Sequence, residues 1–291
     1  MKKTVITLAF ALITSCGSEA PKKEKPNSQY NISVLLDLSS RIDTIYHPAS
    51  PHHYSRDMAA IWAMGESFKE RIEKSGRGTL DTRDKFRIFF HPEPQDANLA
   101  SIAAHLQVDM ALLDPKSKKR TFTDLLTDFE ANLRPLYHEI LSRRQFEGSD
   151  IWGFFRNDVK RKCVEKDSVY RNILVILTDG YMYWRYDRRK EANRFNYIER
   201  EEPHLTRFRD HRRLREEFDA LDYGFIRATE GLQNLEVLVI GLDAPKEHPE
   251  DLEILTRYWE KWLKEMEVKR YAVIKTEFPV HTARAIAEFL K

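Results

Sequence analysis

Five short, almost unbroken apolar runs punctuate this chain and limit what it can fold into. They fall at residues 32–36, 86–90, 173–177, 235–240 and 271–274, and are rich in Val, Ile, Leu and Phe. Most lack the polar alternation of a strand with one wet face, so they read as strands covered on both sides. A sixth, weaker candidate at 107–112 suits an edge strand. Between the runs lie helical stripes. Met58, Ile61, Trp62, Gly65, Phe68 and Ile72 form one. Leu126, Phe129, Leu133, Leu136 and Ile140 form a second, in which Pro135 predicts a kink or a split. Leu252, Leu255, Trp259, Trp262 and Met266 form a third, and Ala283, Ile286 and Leu290 close the chain. Strands alternating with helices predict an α/β fold: a Rossmann-like doubly wound, mostly parallel sheet with helices on both faces. Its crossovers should be right-handed.

The start of the chain stands apart from this pattern. It reads MKKTVITLAFALITSC, with Lys2 and Lys3 ahead of an apolar run from Thr4 to Thr14. That run is too short to span a bilayer, which takes ~20 apolar residues. It has the form of a secretory signal. Ile13-Thr14-Ser15-Cys16 resembles the lipobox of bacterial lipoproteins, whose signal is cut before the cysteine that then carries lipid. Each buried methylene contributes about 0.8 kcal/mol, so two or more acyl chains anchor stably where one does not. The resemblance implies a signal peptide over 1–15, lipid on Cys16, and a place in a bacterial cell envelope. The outer membrane is the preferred location, facing the periplasm or the surface. Residues 16–30 continue in Gly, Ser, Pro and Lys with few apolar residues, the composition of a tether. Residues 31–291 are then left as one domain.

Charge narrows the partners. The formal net charge is +2, and such balance argues against nucleic acid as the main ligand. Residues 181–222 hold YMYWRYDRRKEANRFNYIEREE and RFRDHRRLREEF, with both signs interspersed. They read as an inserted solvated helix or helical pair rather than a binding patch. The aromatic group Tyr181, Tyr183, Trp184 and Tyr186 directly follows a candidate site and would line its rim.

That site comes from two strand ends. In open α/β sheets, ligands bind beyond the carboxyl ends of strands. The first run ends in Asp37-Leu38-Ser39-Ser40-Arg41 and the third in Thr178-Asp179-Gly180. Two aspartates at one edge repel unless a cation, hydrogen bonds or a proton relieves them. Magnesium, bound through carboxylates, hydroxyls and waters, is one solution. An apolar strand into Asp-x-Ser, a threonine before a helix, and an apolar strand into Thr-Asp-Gly resemble a von Willebrand factor A domain across roughly residues 30–291. The resemblance implies a metal-ion-dependent adhesion site, in which Mg²⁺ captures an acidic group on a protein ligand. By position it implies Asp37, Ser39, Thr123 and Asp179 as metal ligands, with Thr121 a close competitor. One position departs. Where the family has a second serine, this chain has Arg41, which carries no acceptor and cannot ligate. Arg41 would either pair with Asp37 or Asp179 in place of the metal, or point outward and leave a weaker site, with Ser40 shifting to compensate.

These features predict a membrane-anchored, non-enzymatic module that binds a protein through this edge. A metal-free scaffold, neutralised by Arg41, is the alternative. A hydrolase using Asp37 is a third reading, because Asp37-x-Ser39 is similar to the nucleophile strand of haloacid-dehalogenase-like phosphatases. That chemistry wants an acid where Ser39 stands. His52-His53, with His47 nearby, read as loop residues, and Cys163 as an inert thiol. Neither a Gly-rich phosphate loop nor a Gly-x-Ser-x-Gly elbow is present.

Overall fold

The computed structural model describes residues 28–291. The expected signal peptide, Cys16 and nearly all of the tether lie outside the described residues. In chain order the strands are β1 (Gln29–Leu36), β2 (Lys85–Phe89), β3 (Gln107–Asp109), β4 (Tyr170–Leu177), β5 (Lys190–Glu191), β6 (Arg194–Phe195), β7 (Gly224–Phe225), β8 (Leu235–Leu242) and β9 (Arg270–Lys275). The helices are α1 (His53–Lys74), α2 (Gly78–Asp81), α3 (Ala97–His105), α4 (Pro115–Arg143), α5 (Ile151–Asn157), α6 (Val159–Cys163), α7 (Pro203–Thr206), α8 (His211–Glu217), α9 (Asp251–Glu265) and α10 (Pro279–Leu290).

Six strands form the main sheet in the order β3-β2-β1-β4-β8-β9. All neighbours are parallel except β3, which runs antiparallel to β2 at the edge. This is the doubly wound α/β fold that the alternating pattern predicts. Strand order reverses between β1 and β4, the switch point at which such sheets open a crevice.

Both faces of the central strands β1, β4 and β8 are dry, as runs without alternation require. Ile32, Val34 and Leu36 of β1, with Ile173, Val175 and Leu177 of β4, pack against α1, α4 and α10. Leu35, Leu174, Ile176, Val237 and Val239 face the other way, onto α5 and α9. The buried Trp259 and Trp262 of α9 keep their indole N–H groups paired, donating to the Gly180 carbonyl (2.8 Å) and the Ile226 carbonyl (2.9 Å). The first of these ties α9 to the end of β4, where the candidate site lies.

Three expectations change. β1 begins at Gln29, so the last two tether residues belong to the sheet. α4 runs unbroken through Pro135, because Leu133, Leu136 and Tyr137 pin its inner face on both sides of the proline. The 181–222 segment is not a solvated helical pair. Part of it, with β7, forms a small sheet in the order β5-β6-β7, and α7 and α8 are short helices. Phe195, Phe208, Leu214, Phe218 and Phe225 are buried beneath them against α9. Charges interspersed at the surface masked this apolar underside. Among the described residues, no helix is long and apolar enough to cross a membrane.

Candidate functional site

β1 and β4 pair in register from Gln29↔Tyr170 to Leu36↔Leu177. Both strands therefore end together. The Asp37 N–H donates to the Leu177 carbonyl (3.0 Å), and the Thr178 N–H to the Ile240 carbonyl (3.1 Å). Asp37 and Asp179 thus come to one edge on adjacent strands, as expected. Both are buried, at 1% and 6% exposure.

Protein donors hold the Asp37 carboxylate. Its Oδ2 accepts from the Thr178 hydroxyl (2.7 Å) and its Oδ1 from the Ser39 N–H (3.0 Å). Ser39 is half-buried beside it, whereas Ser40 is exposed and opens a 3₁₀ turn. Gly180 follows with φ of +95°, and a Cβ there would lie 2.8 Å from Leu242 Cγ, so the turn after Asp179 requires glycine.

Arg41 takes the first of the two expected courses, pairing with Asp37. It points inward, is 4% exposed, and lies on the α1 side of the sheet. Its Nε donates to the Asp37 carbonyl (2.8 Å) and its Nη2 to the Leu177 carbonyl (3.0 Å) and Asp57 Oδ2 (2.6 Å). The Asp37 carboxylate lies 3.6 Å from Nε. The Tyr137 hydroxyl donates to the same Asp57 oxygen (2.9 Å). Burial alone would lower the guanidinium pKa, but Asp57 and Asp37 outweigh it and the group stays charged above its ordinary range. Arg41 therefore pairs with Asp37 and Asp57 but not with Asp179.

Asp179 is consequently left without an ion-pair partner within 4.0 Å among the described residues. Its Oδ1 accepts a long bond from the Tyr181 N–H (3.3 Å). Burial, with Asp37 adding to it, pushes its carboxyl up to about 7. The local demand is for one more cation or a proton.

Thr123 does not reach this edge. β3 runs antiparallel, so α4 starts at the opposite end of the sheet and climbs toward the site. Thr123 lies in its third turn, exposed, with its hydroxyl donating to the Lys119 carbonyl (2.9 Å). Its own carbonyl accepts from Lys69, which lies ~18 Å down α1 from Asp57 at 1.5 Å per residue. Thr121, two residues earlier on α4, is equally remote. The hydroxyl that does arrive is Ser149, 5% exposed, whose Oγ accepts from the Leu38 N–H (2.9 Å). Sequence analysis missed this serine; its neighbour Gly148 is the turn signal that could have pointed to it.

The histidines play a packing part. His53 is the first residue of α1 and is buried, with Nε2 3.7 Å from Asp243. Burial, then Arg41, lowers its pKa to about 3, so it is neutral. Cys163 is buried and its thiol is pushed up to about 12 by burial, in line with an inert side chain.

Comparison with family models, with curated proteins and with solved structures finds no match. The likeness to von Willebrand factor A domains therefore stays a resemblance carried by the two aspartate motifs. Among the described residues, no three His, Cys, Asp or Glu side chains converge as a metal cage. A cation here would rest on two carboxylates, the hydroxyls of Ser39 and Ser149, and water. Magnesium accepts that hard-oxygen set, since it keeps several waters and takes one or two carboxylates.

Proposed function

We propose that this protein is a binding module, tethered to a bacterial envelope membrane through lipid on Cys16, that engages a protein ligand at the carboxyl edge of its sheet. Asp179, Asp37, Ser39 and Ser149 would hold a divalent cation of the magnesium type there. Once bound, that ion would offer an open coordination position to a carboxylate oxygen of the partner. The observation that carries this reading is Asp179: a buried carboxylate beside a second one, with no ion pair of its own among the described residues. The test is calorimetric titration of Mg²⁺ and Mn²⁺ into the full chain, with melting temperature read in parallel. Binding heat and a raised melting temperature are expected, both lost in Asp179→Asn. No heat at millimolar metal, with an unmoved melting temperature, would reject the cation.

The pairing of Arg41 with Asp37 supports a second reading, a metal-free scaffold. It predicts no response to either metal and partner binding that survives a chelator.

A further inference from the structure

The aromatic residues after Asp179 divide into two groups. Tyr181 is core: it is 9% exposed and its hydroxyl donates to Asp251 (3.0 Å). Tyr183, Trp184 and Tyr186 lie further out, and Tyr186 is 64% exposed. The loop that carries them is strapped down. The Ser149 N–H donates to the Tyr183 carbonyl (2.8 Å) and the Arg185 N–H to the Glu147 carbonyl (3.0 Å). The strap needs Gly148, which sits at φ +95° and where a Cβ would lie 2.1 Å from the Tyr183 carbonyl oxygen. The same 147–149 turn delivers the Ser149 hydroxyl to Leu38, so loop and candidate site share one support.

Rings and guanidiniums are stacked along this loop. Trp184 and Tyr186 meet edge-on at 5.1 Å. Arg185 lies 5.0 Å from the Tyr186 ring, and Arg188 4.2 Å from that of Tyr197. Of residues 183–190, four are Arg or Lys against the single Asp187, in a chain whose net charge is only +2. The surface arginines do have partners: Glu147 for Arg185, Glu199 and Glu202 for Arg188, and Asp187 for Arg189. All are at or near the surface, where such pairs are worth at most ~1 kcal/mol and exchange readily. Pre-ordered Tyr, Trp and Arg side chains are the residue types that dominate protein–protein contact energies.

We propose that the strapped loop 183–190 is the recognition surface for an acidic segment of a protein partner, its rings packing on the segment while its arginines trade surface acids for those of the partner. This rests on the binding-module reading but not on the cation. A protein segment is favoured over nucleic acid because arginines already paired with carboxylates, rather than a continuous basic groove, line the loop.

The test immobilises short peptides graded from basic to acidic, with oligothymidylate as a further arm, and measures retention of the full chain with Mg²⁺ and with chelator. Retention should rise with peptide acidity and fall roughly tenfold in Arg185→Glu and in Tyr186→Ala. It should hold in Leu112→Ala, at an exposed residue beyond the antiparallel edge strand. Rescue of Arg185→Glu on basic peptides would confirm the charge match. Retention indifferent to peptide charge or to both loop substitutions, or stronger on the oligonucleotide, would overturn the proposal. Because the chelator arm is separate, failure of the cation site leaves this result readable, and the reverse holds too.

Discussion

Replacing Arg41 by methionine would leave Asp57 and Asp37 buried with no cation beside them. Breaking a buried pair by removing one partner costs about 3–5 kcal/mol, and that loss is expected for Arg41→Met in urea unfolding. A loss below about 1 kcal/mol would mean that Arg41 is dispensable to the core. Acid should act through the histidines. His204 lies 3.7 Å under the Phe195 ring, and burial lowers its pKa from 6.5 to about 4. The unfolded chain takes up this proton near pH 6.5 and the folded chain only near 4, so the stabilisation is whole above 6.5 and drains away between those values. It amounts to on the order of 3 kcal/mol. Stability measured from pH 7 to 4 should fall in the wild type and fall less in His204→Phe. At this scale the sequence was only half legible. Asp37 and Asp179 could be placed because each ends an apolar run. The turn of Arg41 toward Asp57 could not, since Asp57 stands on α1 and its other donor, Tyr137, a further 80 residues along.

Helix α4 shows what an element owes to packing over propensity. Pro135 removes a backbone donor in mid-helix, yet its side chain is exposed and the helix continues. An interior proline costs up to ~3 kcal/mol, so Pro135→Ala should raise stability by about 1–3 kcal/mol in thermal or urea unfolding, with unchanged helix content by circular dichroism. No gain would mean that the inner face has already adapted to the proline. The same helix explains the misplaced threonine. The apolar stripe becomes visible only at Leu126, so Thr123 reads as a loop residue before a helix. The helix starts eight residues earlier, where Asp114 caps it by accepting from Lys116 and Ser117 and Pro115 takes the first turn. That Asp-Pro pair is a start signal in its own right.

Across the whole molecule, fold class was the most legible feature, because runs of unbroken Val, Ile and Leu can only be buried by helices on two sides. The insertion was the least legible. Its apolar residues are spaced singly among charges, and only the meeting of β6 with β7, some thirty residues apart in sequence, reveals a common underside. One geometric consequence remains in β1. It is flanked on both sides by parallel neighbours, begins at the foot of the sheet near Ser28, and delivers Asp37 at the head. Eight residues of strand separate these ends by ~26 Å. A pull between a tethered chain start and a partner held at the head would load β1 along its own axis. The ladder bonds to β2 and β4 would then share that load in shear rather than open one at a time. Under the proposed anchoring, the strand that builds the site would also be the one to bear tension through it.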